Sequence, residues 1–135
     1  MTTPPAACAI CEDPRQWVPA AGQSWTTMEA LARRHAIGWR DVAPGLLGLG
    51  MFPDFAIAQR ALLLRTPAGN VLWDCVALLD PATVAIVKAL GGIAAIAISH
   101  PHYYATMVDW ARAFDCPVLL HGADRRWVMR PDPAI

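Results

Sequence analysis

The 135-residue sequence has no excess of either charge: eleven Lys and Arg balance eleven Asp and Glu. With no Lys/Arg run either, electrostatics gives no reason to expect nucleic acid or an anionic membrane surface as the partner. No apolar run reaches the roughly 18 residues that read as a bilayer span, because Lys88 and the Gly91-Gly92 pair interrupt the longest candidate. The opening stretch MTTPPAACAICEDPRQW has neither a basic n-region nor an apolar h-region. A secretory signal is therefore not expected, and the cytoplasm is the expected location. In that setting the four cysteines read as thiols or metal ligands rather than as a disulfide framework. No segment recurs at a fixed period, which argues against a repeat architecture.

What is present is an apolar composition, 56% hydrophobic and 16% charged, in a chain long enough for one packed domain. Residues 1–23 show neither helical nor strand periodicity and read as an extended lead-in. Thr26 with Glu29 three residues later forms a capping-box pattern, and predicts a short helix over 27–36 that ends at Gly38. Two apolar runs, ALLLRT and VLWDC, flank the turn PAGN and predict a β-hairpin. Asp80-Pro81 supplies a cap and a first-turn proline for a helix over 81–90, which Gly91-Gly92 stops. IAAIAIS is too short for an independent helix and reads as a strand buried on both faces. A second helix follows HPHYY, then a strand in DCPVLLH and a helical turn in DRRWVMR. This order predicts an α/β layered fold. Residues 1–43 are read as an N-terminal extension with a Cys-X-X-Cys pair and a short helix, and residues 44–135 as the αβ unit.

Active sites in such sheets lie beyond the carboxyl ends of the strands. His100 and His102 fall there, and His121 closes the next strand in the same way. In an extended segment residues i and i+2 project to one side, so His100 and His102 can offer two imidazoles to one ion across the stiff Pro101. A catalytic zinc takes three protein ligands and keeps an open position, so two histidines make an incomplete site. The competing reading is two polar side chains hydrogen-bonding around a strand end.

The run NVLWDC, followed by a helix, a buried strand and SHPHYYATMVDWARAFDCPVLLH, resembles the amino-terminal half of the metallo-β-lactamase-fold hydrolases. In that family a strand ending in Thr or Ser leads into His-X-His-X-Asp-His, and an earlier strand ends in aspartate. Ser99, His100 and His102 match the start of the motif and Asp74 matches the earlier aspartate; the likeness covers roughly residues 44–130. It implies half of an αββα sandwich with a mixed sheet and flanking helices. It also implies a metal-dependent hydrolase acting on a small ester, thioester, amide or lactone. Asp74 would then be a hydrogen-bond acceptor behind a ligand histidine.

The departures are equally specific. Tyr104 stands at the motif aspartate and Ala105 at the final histidine, which removes the second metal site and leaves one zinc at most. A tyrosine of ordinary pKa near 10 is no general base at neutral pH; Tyr104 is instead a candidate to line the substrate pocket. The family's remaining ligands lie on a second half, and the sequence reaches RPDPAI about where that half would start. The expectation is a first half whose site is completed elsewhere, with apolar surface left open to self-association. Two other readings stand beside the hydrolase. One is a non-catalytic binding or scaffold protein of the same fold. The other is a zinc-stabilised interaction module on Cys8 and Cys11, whose spacing suits half of a structural zinc site. Trp17, Trp25, Trp39, Trp73, Trp110 and Trp127 are expected in core or inter-half packing, and Asp109, Arg112 and Asp115 on a solvated helix face.

Overall fold

The computed structural model describes residues 4–16 and 18–135. The packing role expected of Trp17 lies outside the described residues. Six strands form one mixed sheet in sequence order: β1 (Ala36–Ala43), β2 (Leu46–Phe52), β3 (Arg60–Leu64), β4 (Val71–Trp73), β5 (Ala95–Ala97) and β6 (Val118–Leu119). The first four run antiparallel to their neighbours, and β4, β5 and β6 are parallel. Three helices accompany them: α1 (Met28–Ala32), α2 (Pro81–Ala89) and α3 (Met107–Phe114). The α/β class is as expected, and so are the β3–β4 hairpin and α2.

Local chemistry accounts for the elements. Asp80 caps α2 by accepting from the Thr83 N–H at 2.6 Å, with Pro81 in the first turn. α3 ends where Asp115 takes a left-handed conformation, φ 51°. Of its charged residues Arg112 and Asp115 are exposed, as expected, and Asp109 is half-buried. Arg130 forks onto the Asp109 carboxylate at 2.8 and 3.1 Å, and Arg112 reaches Asp132 at 2.7 Å, so the C-terminal segment is tied across α3.

The expectation that fails is at the start of the sheet. The helix predicted over 27–36 spans only Met28–Ala32, capped by Thr27 rather than Thr26, and Gly38 is a strand residue rather than a helix stop. β1 then pairs with β2 from Ala36↔Phe52 to Ala43↔Leu46. Gly38 lies opposite Gly50 in that ladder, and a Cβ on Gly48 would meet the Val42 side chain at 3.2 Å. These glycines serve close strand approach, not turns. The boundary drawn after residue 43 falls in the turn that joins β1 to β2.

The strand order 4-5-6, with a helix in each parallel crossover, puts α2 and α3 on the same face of the sheet under the right-handed rule. That face carries Leu63, Leu72, Ile96 and Val118, which pack with Val87 of α2 and Met107, Val108 and Trp110 of α3 in one buried cluster. Trp110 is fully buried, and its indole N–H and the Thr106 hydroxyl both donate to the Val76 carbonyl, at 3.2 and 2.8 Å.

The opposite face is apolar and open. The register sets Leu62, Trp73, Ala97 and Leu119 in one row across four strands. Trp73 is 50% and Leu119 57% exposed, and Leu64, one row away, is 44% exposed. β5 is therefore covered on one face only, with Ala95 and Ala97 half-buried toward the open side. Of the other tryptophans, Trp25 is exposed while Trp39 and Trp127 pack against the core cluster.

Candidate functional site

Beyond the carboxyl ends of β4 and β5 the chain brings together the residues that the sequence singled out. Asp74 follows β4 directly, is 5% exposed and holds φ 65°. Asp is one of the few side chains that tolerate this left-handed region. The turn aims its carboxylate at the end of the neighbouring strand, where Oδ1 accepts from the Ser99 N–H at 2.7 Å. The Ser99 hydroxyl donates to Oδ1 at 3.0 Å and Oδ2 at 2.8 Å. The Asp74 N–H itself donates to the Ala97 carbonyl at 2.8 Å, so two neighbouring strand ends are clamped from both sides. Asp74 was expected behind a ligand histidine; its carboxylate instead bonds to the residue just before His100.

Past that clamp, His100 is exposed, Pro101 buried and His102 half-buried, in a single 3-10 turn, Pro101–Tyr103. The two imidazoles lie side by side with ring centroids 4.7 Å apart and planes inclined at 45°. Same-side projection, expected of an extended segment, is achieved here by the turn. His100 caps it: its Nδ1 accepts from the His102 N–H at 3.2 Å. Burial, and secondarily the neighbouring His100, hold the His102 imidazole below its ordinary value, which favours the neutral ligand form. Gln59, from the loop before β3, donates its side-chain amide to the His102 carbonyl and fixes the turn from the other side. No pattern in the sequence marks Gln59, because the contact spans 43 positions and involves only backbone at its far end.

Tyr104 does not open onto the imidazoles' surroundings as a pocket wall would. It is 6% exposed and belongs to the core cluster, with its hydroxyl buried and without a hydrogen-bond partner among the described residues. Burial pushes its phenol up, so it stays protonated at neutral pH. His121, at the end of β6, caps the next 3-10 turn by accepting from the Ala123 N–H at 3.3 Å. The open depressions of the surface lie elsewhere. One sits by Arg65, Asn70 and Gly91 at the opposite edge of the sheet, and one between α3 and Pro133.

As a donor set for zinc, His100 and His102 fit half of a catalytic site. Among the described residues no third His, Cys, Asp or Glu stands with them, and none completes a set around Cys8 and Cys11. The His100 cap bears on loading. With Nδ1 accepting, the neutral ring carries its proton on Nε2, so binding an ion through either nitrogen requires that bond to break or the tautomer to switch.

No protein-family model matches the chain. It is 45% identical over 130 residues to an uncharacterized protein of Bacillus subtilis (strain 168), YmaE, a match covering 95% of this chain and 47% of that one. The chain thus spans about half the length of the curated relative it matches. No helix is long and apolar enough to cross a membrane among the described residues.

Proposed function

We propose that this chain is the first αβ half of a metal-dependent hydrolase of the metallo-β-lactamase fold, with a single-zinc site. His100 and His102 would hold the ion. The remaining donors would come from a second αβ layer on further polypeptide. The observation that carries this reading is the coincidence of two unfinished features. A pair of adjacent imidazoles lies at the carboxyl edge of parallel strands, and the apolar sheet face that ends at that same edge is uncovered. A relative about twice as long as the matched stretch fits a protein in which both are completed.

The chain's own residues have defined parts in this reading. Asp74 clamps the β4 and β5 ends through Ser99 and so fixes where the histidine turn starts. Gln59 and Pro101 hold that turn closed. The partial burial of His102 keeps it neutral and ready to ligate near neutral pH. A bound zinc would supply a Lewis acid and a water of lowered pKa, for a small ester, thioester, amide or lactone. Tyr104, buried and protonated, cannot replace the missing aspartate as base.

The test is metal content per chain after dialysis against micromolar zinc, for the wild type, His100→Ala/His102→Ala and Cys8→Ser/Cys11→Ser. Zinc retained by the wild type and the cysteine variant but lost with the histidines supports the hydrolase site. Zinc lost only with the cysteines would move the metal to the N-terminal segment and make the protein an interaction module. If no variant differs from a metal-free wild type, even when the second half of the relative is added in trans, the fold serves as a scaffold and the hydrolase reading fails.

A further inference from the structure

The N-terminal segment carries a second chemical feature with no part in the histidine site. Residues 8–12 form one helical-type turn, closed by the Glu12 N–H donating to the Cys8 carbonyl at 3.0 Å and followed by a bond from the Asp13 N–H to the Ile10 carbonyl at 3.3 Å. Residues three apart on such a turn face the same side, with Cβ atoms about 5–6 Å apart. That is one small adjustment from the roughly 3.5–4.5 Å of a disulfide. Cys8 and Cys11 are both free thiols. The Gln23 side-chain amide reaches over from the far end of the segment and donates to Cys11 Sγ at 2.8 Å.

The two sulfurs are not equivalent. Burial pushes the Cys8 thiol up. The Cys11 N–H, the Cys11 thiol, the Ile10 N–H and the Gln23 amide outweigh this and bring it below the ordinary thiol value. Cys11 moves the other way, through burial and then through its bond and charge interaction with Cys8. Two unlike thiols one helical turn apart suit exchange chemistry, in which one sulfur attacks and the other resolves. Cys8 is 8% exposed and lies outside the core cluster. Cys75 and Cys116 differ in kind. Both are buried in that cluster, and burial pushes both thiols up, which leaves them inert. Structural zinc would need two more ligands, and among the described residues none stands with Cys8 and Cys11.

We propose that Cys8 and Cys11 are a redox-active dithiol that exchanges with low-molecular-weight disulfides. Cys8 Sγ, as thiolate, attacks one sulfur of the disulfide RSSR; the S–S bond breaks and RS⁻ leaves, taking a proton from solvent. Cys11, having released its proton, attacks Cys8 Sγ in the mixed disulfide and expels the second RS⁻. The dithiol is oxidised to the Cys8–Cys11 disulfide and RSSR is reduced to two RSH, which carry the two protons the cysteines gave up. Gln23 positions the pair through its bond to Cys11 Sγ.

The experiment incubates the reduced full chain in graded ratios of reduced to oxidised glutathione, traps free thiols with iodoacetamide, and maps the label by peptide mass. Cys8 and Cys11 should lose label together, without retaining glutathione, and regain it with dithiothreitol, while Cys75 and Cys116 stay reduced throughout. Cys11→Ser should stop at the mixed disulfide on Cys8. The inference is overturned if both cysteines remain labelled in excess oxidised glutathione, or if the wild type accumulates the mixed disulfide as Cys11→Ser does. It is overturned equally if the reduced pair retains one zinc that Cys8→Ser loses.

Discussion

Replacing Asp74 tests the clamp that sets the histidine turn, and the structure gives the order of the effects. Two terms are separable: the carboxylate accepts from the Ser99 N–H and hydroxyl, and the backbone holds φ 65°. Hydrogen bonds to a charged group contribute about 1.5–3 kcal/mol net. Ser99 is exposed, so its hydroxyl regains water and the loss sits at the low end. A left-handed residue other than Gly, Asn or Asp adds about 1 kcal/mol. Asp74→Ala should therefore lose about 2–3 kcal/mol. Asp74→Gly should recover about 1 kcal/mol of that by relieving the backbone while still lacking the acceptor. Asp74→Asn keeps both the conformation and one acceptor oxygen and should lose only about 1 kcal/mol. Equilibrium urea unfolding, followed by tryptophan fluorescence at constant m-value, measures all three. An alanine variant within about 0.5 kcal/mol of wild type would refute the clamp. A glycine variant no better than alanine would refute the backbone term.

Other positions give independent checks. A Cβ at Gly69, φ 121°, would sit 2.7 Å from the Ala94 Cβ, so Gly69→Ala should cost about 2–4 kcal/mol. Adding Ala94→Gly should restore the steric part alone. Tyr104→Phe removes a buried hydroxyl without a partner among the described residues and should raise stability by about 1 kcal/mol in the same unfolding assay; a loss of that size would mean the hydroxyl is bonded. The Ala134 N–H and the Arg112 guanidinium hold the Asp132 carboxyl below the usual range. Its folded pKa is thus lower than its unfolded one. The stability it contributes is present above about pH 4 and is lost as the pH falls through the lower, folded value. Thermal unfolding between pH 5 and pH 2.5 should accordingly be less pH-dependent for Asp132→Asn. Leu119→Lys, on the open face, should leave stability within about 0.5 kcal/mol and reduce self-association in sedimentation velocity.

How much of this was legible follows from how local each signal was. The β3–β4 hairpin and α2 are encoded within a few residues, by PAGN between two apolar runs and by Asp80-Pro81 before a helical stretch. The Asp74, Ser99 and His100 cluster was legible because each residue ends a strand, and strand ends gather on one edge. β1 and β2 were hidden by their glycines, which read as punctuation in a chain without a partner in view. The alternation of Leu47, Leu49 and Met51 was the available signal, and Ile37 and Trp39 opposite Met51 and Leu49 repeat it. The fate of Asp74 could not be read from spacing, since Ser99 lies 25 positions away. Tyr104 was expected to line a pocket, but it is buried in the core cluster with the residues of α3.

The open face and the histidine turn are one structural problem. Trp73 immediately precedes Asp74, and its row partner Ala97 stands two residues before Ser99. The helices already occupy the other face, so a layer covering the row Leu62, Trp73, Ala97 and Leu119 would end beside the imidazoles. On the proposed reading, covering that face and completing the donor set are therefore a single docking event. The free energy comes from apolar burial and the specificity from the metal. Their separability is useful. Substitutions at Leu119, on the edge strand β6, weaken docking without touching a donor, whereas His100 and His102 variants remove donors without touching the face. Zinc affinity that falls with both classes of substitution is the signature of coupled assembly, and affinity indifferent to the face would place the completing ligands within the single chain.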